Sequence, residues 1–389
     1  MPSSLPLPNA ALQAQSETLL KLIQTRIRAE DGWLSFLDYM NMALYTPELG
    51  YYTSGAPLFG EAGDFVTAPE LTPLFAQTLS TQVNEILSTG ALKYVLEIGA
   101  GSGRMAVDLL QSLESKQALP ERYYILELSA ELKVRQQHTL KTCIPNLFDR
   151  VQWLNALPSQ FEGLVLANEV LDAMPVALIS HQNGQWFERG VGLNENDALS
   201  WVERAIPTHF QTALAPLPLH VSPDQTYLTE LHLPAQAWVK DLARTLKKGV
   251  ILFIDYGYSA SQYYLPARNQ GSLQCFYQHR VHNDPLLWPG LCDITSFVDF
   301  TAIAQAGYDA GLDVQGFTTQ AQFLLNCGLL DCLAQQGDPD QIPYLKAARA
   351  VQRLIAPGDM GETFKVLILS KNYTAPLLGL QQGNKIELL

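Results

Sequence analysis

The chain has 389 residues, of which 47% are hydrophobic, and its formal net charge is −13 at pH 7. This length and hydrophobic content support a large core, either in one domain with an insertion or in two smaller domains. An acidic chain without a dense basic run repels a phosphate backbone, so we expect no nucleic-acid partner.

The cysteines and the N-terminus indicate a cytoplasmic protein. Five cysteines form no Cys-x-x-Cys pair, which is typical of reduced thiols in a cytosol-like compartment. No apolar run approaches the roughly 18 residues of a membrane span, and the N-terminus lacks the features of a signal or transit peptide. His279 and His282 have helical spacing but no cysteine or acidic pair near them, so we expect no metal site.

Residues 11–44 are predicted to be helical, because apolar residues such as Leu19, Ile23 and Ile27 recur at helical spacing. The next stretch, YTPELGYYTSGAPLFGEAGDFVTAPELTPLF, has no periodicity and is rich in glycine, proline and aromatic residues. Such long loops are often functional, although a surface loop that packs its aromatic residues is an equal alternative. We expect residues 55–71 to form a lid with glycine hinges, followed by a helix at 71–88.

From residue 93 onward, apolar strands alternate with helices, which indicates a parallel sheet covered on both faces. The predicted strands are 93–99, 122–129, 151–157, 163–168 and 249–257, and the predicted helices are 103–116, 130–141 and 231–246. Two later segments, 313–320 and 364–371, could close the sheet. Residues 176–202 alternate like antiparallel strands with turns at 183–184 and 194–197, and a proline-rich linker follows.

The segment LEIGAGSGRM ends a predicted strand in three glycines at alternate positions. Glycine allows tight turns and close approach of a ligand to the backbone. A dinucleotide fingerprint needs a further glycine where this chain has Arg104. The pattern Glu97-x-Gly99-x-Gly101-x-Gly103 is instead typical of S-adenosylmethionine (SAM) methyltransferases, and Glu97 suits the sulfonium and ammonium of SAM. A nucleotide site and a purely structural turn are the alternatives.

Two further strand ends carry candidate cofactor contacts. Glu127 ends the second predicted strand, the place where ribose hydroxyls are held in such folds. Asn155 ends the third predicted strand and is a candidate adenine contact. A solvated surface role is the alternative for each residue.

The stretch LVLANEVLDAMP passes abruptly from a buried strand to Asn168, Glu169 and Asp172. If this strand lies beside 93–99, these side chains emerge next to the transferred methyl group. A helical turn over 169–172 would place both carboxylates on one face, where they would suit a planar, permanently charged guanidinium. The alternative is an N-cap and a salt bridge at the start of a helix.

At these motifs the chain resembles the MidA family of SAM-dependent methyltransferases, which includes a mitochondrial complex I assembly factor. The resemblance runs from about residue 30 to 371. It rests on the segments MNMALYTPELGYY, GDFVTAPEL, ANEVLDAMPV, IDYGY, GSLQCFYQH, PGLCDITSFVDF and MGETFKVLILS, which occur in the order of the family's blocks. One departure is Phe297, where the family pattern leads us to expect a polar residue.

The resemblance implies an α/β fold, namely a class I SAM-methyltransferase (Rossmann-like) sheet with an N-terminal helical extension and an inserted lobe. The implied domains are the extension and lid loop at 1–90, the SAM-binding core at 91–175, the inserted lobe at 176–247, the remaining core at 248–371 and a tail at 372–389.

The resemblance also implies SAM as cofactor and assigns roles to motif residues. The implied catalytic residues are Asn168, Glu169 and Asp172. Cofactor contacts are implied at the three loop glycines, Thr67 and Pro69, beside Glu97, Glu127 and Asn155. Substrate contacts are implied at Glu70, Asp255, Tyr256 and Asp293.

The resulting hypothesis is a methyltransferase that acts on protein arginine. For the mitochondrial member the resemblance implies symmetric dimethylation of an arginine in the 49-kDa subunit of complex I, so a complex I type subunit is the expected protein partner. Two alternatives remain open: an assembly chaperone that binds SAM without turnover, and a methyltransferase for a small molecule or another residue.

Overall fold

The computed structural model describes residues 5–55 and 67–389. The chain divides into two compact units. The first unit comprises Met1–Phe65, Leu171–Ala235 and Ser259–Asp299, and the second comprises Val66–Val170, Gln236–Tyr258 and Phe300–Leu389. The domain boundaries that the sequence suggests remain a prediction.

The second unit is built on a mixed sheet whose strands we number in chain order. They are β1 Tyr94–Ile98, β2 Arg122–Leu126, β3 Val151–Leu154, β4 Phe161–Asn168, β5 Leu246–Tyr258, β6 Asp313–Thr319 and β7 Phe364–Lys371. Their order in space is β3-β2-β1-β4-β5-β7-β6. Strands β1 to β5 pair in parallel, whereas β7 runs antiparallel to both β5 and β6. The strands predicted at 313–320 and 364–371 therefore do complete the sheet.

The apolar strands of this sheet form the core of the second unit. In β5, the run Val250–Ile254 is at most 2% exposed, because a sheet buried on both faces requires continuous apolar strands. The helices with residues in this unit include Ala68–Leu71, Leu74–Gly90, Arg104–Ser115, Ala130–Cys143, Leu233–Thr245, Phe300–Asp309, Gln320–Asn326, Leu329–Ala334, Ile342–Ile355 and Met360–Thr363. Within the described ranges, no helix combines the length and apolar character needed to cross a bilayer.

The strand order reverses beside β1, and this reversal fixes where a ligand is expected. The chain leaves β1 toward β2 and β3, then returns so that β4 pairs with the other side of β1. In open α/β sheets, ligands bind at the carboxyl ends of the strands next to such a reversal. The adjacency of β4 and β1, on which the interpretation of Asn168 and Glu169 depends, is confirmed.

The first unit contains two antiparallel sheets. The larger is formed by Leu34–Ser35, Ala177–Gln182, Gln185–Leu193, Leu199–Ala205 and Tyr227–Leu231, and the smaller by Gln274–Tyr277, Arg280–His282 and Asp293–Thr295. Asn183 and Gly184 both have positive φ, 51° and 76°, as the two central residues of a tight hairpin turn require. The antiparallel strands and the turn predicted for residues 176–202 are confirmed.

The single helical segment predicted at 11–44 is wrong, because two helices occur there, Ala10–Ala29 and Phe36–Tyr45. Asp31 and Gly32 between them have positive φ, 55° and 78°, which a right-handed helix does not accommodate. Ser35 then caps the second helix, its side chain accepting a hydrogen bond from the Asp38 amide at 3.0 Å.

Candidate functional site

The loop after β1 is held open by glycines in the left-handed region. Gly99, Gly101 and Gly103 have φ of 67°, 53° and 84°, a conformation that side chains with a Cβ rarely adopt. The Gly99 amide donates to the Leu126 carbonyl at 3.0 Å, which ties the loop to the end of β2. At Gly103, a Cβ would lie 2.9 Å from Leu140 Cδ1. Because these three positions carry no side chain, a cofactor can approach the loop backbone closely.

Glu97, the acidic residue of the glycine pattern, is almost fully buried at the end of β1. Its Oε2 accepts a hydrogen bond from the Tyr123 hydroxyl at 2.6 Å. Burial raises the pKa of Glu97 to about 7, although the Tyr123 hydrogen bond opposes this and the Glu127 charge adds to it. A cationic ligand beside Glu97 would favour its ionised form, so this carboxyl fits the ammonium and sulfonium charges of SAM.

Replacing Glu97 with glutamine is expected to stabilise the cofactor-free protein in a pH-dependent way. When folding raises the pKa of a carboxyl, its ionisation destabilises the folded protein. The free energy of unfolding therefore falls as the pH rises from the unfolded-state pKa to the folded-state pKa. Glu97→Gln should therefore raise the free energy of unfolding by about 3 kcal/mol at about pH 8, and by less than about 1 kcal/mol at about pH 5. Urea denaturation at both pH values measures this difference. The exposed Glu162 provides the control: a gain of equal size in Glu162→Gln, or none in Glu97→Gln at pH 8, would contradict the account.

A glutamine that the sequence analysis missed joins three strand ends. Gln136, in helix Ala130–Cys143, is completely buried. Its Nε2 donates to the Gly101 carbonyl at 3.0 Å and to Glu127 Oε2 at 2.8 Å, and its Oε1 accepts from Trp153 Nε1 at 2.9 Å. A sequence signal for this role exists, because Gln136 lies four residues from Leu132 and from Leu140, on the apolar face of its helix.

Glu127 lies where the sequence predicts a ribose contact, just after β2. It is 7% exposed, and its Oε1 accepts from the Ser129 amide at 2.9 Å. Burial is the main cause that raises its pKa, against the hydrogen bonds from Ser129 and Gln136. A carboxylate can accept about four hydrogen bonds, so Glu127 keeps accepting capacity for a ligand hydroxyl.

Asn155 follows β3 as predicted but is exposed. Its Oδ1 accepts a hydrogen bond from Lys133 Nζ at 2.6 Å. The amide that the sequence predicts to contact adenine is thus held by a lysine of the helix after β2, and its cofactor role remains a prediction.

The end of the predicted lid meets the glycine loop. Residues 56–66 lie outside the described residues, but Thr67 and Pro69 belong to the start of helix Ala68–Leu71, where the Thr67 carbonyl accepts from the Glu70 amide at 3.1 Å. The Ser102 hydroxyl of the glycine loop donates to Glu70 Oε1. The structure therefore brings Glu70, predicted as a substrate contact, to the glycine loop.

The end of β4 carries Asn168 and Glu169 beside the end of β5. Glu169 has a φ of 52°, and its amide donates to the Ile254 carbonyl at 2.9 Å. Asn168 Nδ2 donates to Glu169 Oε1 at 3.1 Å, and the next amide, of Val170, donates to Asp255 Oδ2 at 3.2 Å. The helical turn considered for 169–172 is wrong, because a left-handed Glu169 cannot begin it. Asp255 thereby fixes the backbone that presents Glu169.

Tyr256, the other predicted substrate contact on β5, lies next to Asp255. Its amide donates to Asp255 Oδ1 at 2.9 Å, and its half-buried ring meets that of Phe364 edge-on at 5.4 Å. Its substrate role remains a prediction.

In the first unit, Asp172 and Asp293 come together around Tyr52. The Tyr52 hydroxyl donates to Asp293 Oδ1 at 2.8 Å. Burial is the largest cause that raises the pKa of Tyr52. The negative charge of Asp293, the neighbouring Tyr45 and the negative charge of Asp172 raise it further, in that order. The rings of Tyr45 and Tyr52 stack with centroids 5.5 Å apart, and the Tyr45 hydroxyl donates to the Ala173 carbonyl at 2.9 Å. We call Tyr45, Tyr52, Asp172 and Asp293 the tyrosine–aspartate cluster.

The two tyrosines of this cluster were not singled out from the sequence, although both lie in the quoted segment MNMALYTPELGYY. Aromatic residues in a long loop have no periodicity that marks the ring facing a carboxylate. Only the fold, which brings residues 45 and 52 to residues 172 and 293, shows the grouping.

The chain is similar to several known proteins. The family model described as "Putative S-adenosyl-L-methionine-dependent methyltransferase" matches residues 76–318. A crystal structure of a COG1565 superfamily member from Burkholderia thailandensis, bound to S-adenosyl-homocysteine, is 43% identical with a TM-score of 0.95, over 99% of this chain and 100% of that one. Protein arginine methyltransferase NDUFAF7 of Danio rerio is 27% identical over 90% of this chain and 86% of its own. The homologue of Drosophila melanogaster is 26% identical over 93% and 87%.

Proposed function

Because the chain belongs to the MidA-like family of SAM-dependent methyltransferases, we propose that it transfers the methyl group to an arginine side chain of a protein. The fold class and the SAM cofactor expected from the sequence are confirmed. The identity of the acceptor is the part that we propose.

The observation that carries the proposal is the tyrosine–aspartate cluster. Asp172 and Asp293 are 5% and 1% exposed, and charge-assisted hydrogen bonds to carboxylates are stronger in such a buried setting than in water. A guanidinium is planar, permanently charged and matched to carboxylates in a bidentate geometry, and it also stacks on aromatic rings. A cluster of two carboxylates and two tyrosine rings supplies both kinds of contact.

The chemistry asks little of the protein beyond positioning. SAM supplies an electrophilic methyl group, so the bond from the acceptor nitrogen to the methyl carbon forms as the carbon–sulfur bond breaks and S-adenosyl-homocysteine departs. Holding acceptor and donor in line can contribute on the order of 7–11 kcal/mol. In this proposal carboxylates hold the guanidinium, and one of them accepts the proton that the methylated nitrogen loses.

Two further points support an arginine acceptor. The relatives from Danio rerio and Drosophila melanogaster are named protein arginine methyltransferases. The family resemblance of the motifs leads us to propose a complex I type subunit as the acceptor protein, and the net charge of −13 suits a basic surface on that partner.

The test is to incubate the protein with methyl-labelled SAM and a lysate of its own source, then to identify the labelled protein and hydrolyse it. Methylarginine in a protein band is the expected product, and no label should appear with Gly101→Val. Label in lysine or in the small-molecule fraction would replace arginine with one of the other acceptors. Binding of SAM without transfer to any component would favour the assembly chaperone.

A further inference from the structure

Gln136 makes three hydrogen bonds through its amide nitrogen and oxygen at the ends of three neighbouring strands. One amide N–H reaches the Gly101 carbonyl after β1 and the other reaches Glu127 after β2, while the amide oxygen receives the indole N–H of Trp153 in β3. If the amide oxygen and nitrogen were exchanged, the indole N–H of Trp153 would face the amide N–H groups. The Gly101 carbonyl and the Glu127 carboxylate would then face the amide oxygen, which cannot donate to them. The orientation of the amide is therefore fixed by its partners.

We propose that Gln136 is a positioning residue for SAM. Its amide, oriented by the indole of Trp153, holds the glycine loop and Glu127 in one preformed arrangement. The helix that carries Gln136 also packs on the loop, because a Cβ at Gly103 would lie 3.3 Å from Gln136 Cα. A single buried side chain thus contacts both the glycine loop and the Glu127 carboxylate. This inference rests on the SAM cofactor and not on the identity of the acceptor.

A positioning role for Gln136 includes an effect on the pKa of Glu127, whereas a purely stabilising role does not. The pH dependence of cofactor binding therefore distinguishes the two roles. Burial raises the pKa of the Glu127 carboxyl. Four groups lower it: the Ser129 and Leu128 amides, Gln136 and the positive charge of Lys133. The charge of Glu127 in turn raises the pKa of Glu97, so the two carboxylates repel each other. Loss of the Gln136 donor should raise the pKa of Glu127 further. If the ionised carboxylate binds the cofactor, affinity should then begin to fall at a higher pH as the solution is acidified.

The decisive variant is Gln136→Met, which keeps an unbranched side chain of similar length and removes all three hydrogen bonds. We expect the affinity for S-adenosyl-homocysteine, measured by calorimetry, to fall by about 10-fold to 100-fold. We also expect the acid-side loss of affinity to begin at a higher pH than in the unchanged protein. Gln137→Met, in the same helix, is the matched control, because Gln137 is only half-buried, and its affinity should remain within about 2-fold.

Gln136→Met that folds, as judged by circular dichroism, and binds with unchanged affinity and unchanged pH profile would overturn the proposal. If that variant does not fold, Trp153→Phe decides instead, because it removes only the indole donor that orients the amide. The expected result is a loss of affinity of about 3-fold to 10-fold, and full affinity in Trp153→Phe would count against the role of Gln136. Both measurements use binding alone, so they stand or fall independently of arginine methylation.

Discussion

Replacing Gly101 with valine is expected to weaken the binding of S-adenosyl-homocysteine by at least about 100-fold, with the fold retained. Gly101 has a φ of 53°, and a β-branched residue in this region is a strong outlier that costs on the order of 1–3 kcal/mol. The loop can relieve that strain only by moving, which would also disturb the hydrogen bond from Gln136 to the Gly101 carbonyl. Even without movement, a branched side chain fills the space that close approach of the cofactor needs.

Gly311 offers a matched control for the backbone strain alone. It has a φ of 84°, and a Cβ there would meet no heavy atom within 4 Å. It lies in the turn between helix Phe300–Asp309 and β6. Gly311→Val should therefore lower the thermal midpoint by an amount similar to that of Gly101→Val, with unchanged affinity in calorimetry. Equal loss of affinity in both variants would attribute the effect to general destabilisation, and full affinity in Gly101→Val would remove the loop from the cofactor site.

The sheet of the second unit could be predicted because its signals are local. Each strand from β1 to β5 is a short apolar run, and the helices between them have apolar periodicity. The glycine loop marks the end of the first strand of this alternating pattern. The adjacency of β1 and β4 could only be assumed. The two strands lie more than 60 residues apart, and neither segment contains a residue pattern that identifies its partner strand.

The elements that escaped prediction depend on contacts remote in sequence or on backbone conformation. The break at Asp31 and Gly32 requires positive φ at a non-glycine residue, which periodicity does not reveal. Gln136 on an apolar face was overlooked because its partners Gly101 and Trp153 come from two other elements. The left-handed Glu169 is stabilised by pairing of its amide with the Ile254 carbonyl on β5, which residues 164–175 alone do not show.

Replacing Glu169 with glutamine is expected to lower methyl transfer by roughly 100-fold or more and to leave SAM affinity within a few fold. Glutamine keeps the size of the side chain and an oxygen that can accept from Asn168 Nδ2, but it loses the charge to which we assign the binding and deprotonation of the proposed arginine acceptor. Asp172→Asn should also lower methyl transfer, because it removes one of the two negative charges of the tyrosine–aspartate cluster. Labelled SAM with the acceptor identified in the lysate measures transfer, and calorimetry measures affinity.

The control for both variants is Glu162→Gln. Glu162 is the exposed second residue of β4, so this change removes a carboxylate at the opposite end of the strand from Asn168. It should leave transfer and affinity unchanged, so that a loss seen in all three variants would reflect net charge and not position. If Glu169→Gln or Asp172→Asn folds normally but no longer binds SAM, that carboxylate serves the cofactor. If both retain full transfer, the carboxylates have structural roles, since a permanently charged arginine acceptor must be held by charge and deprotonated as it reacts. The acidic residue that follows β4 would then serve local contacts such as the hydrogen bond from Asn168 Nδ2 to Glu169 Oε1, and not a cationic substrate.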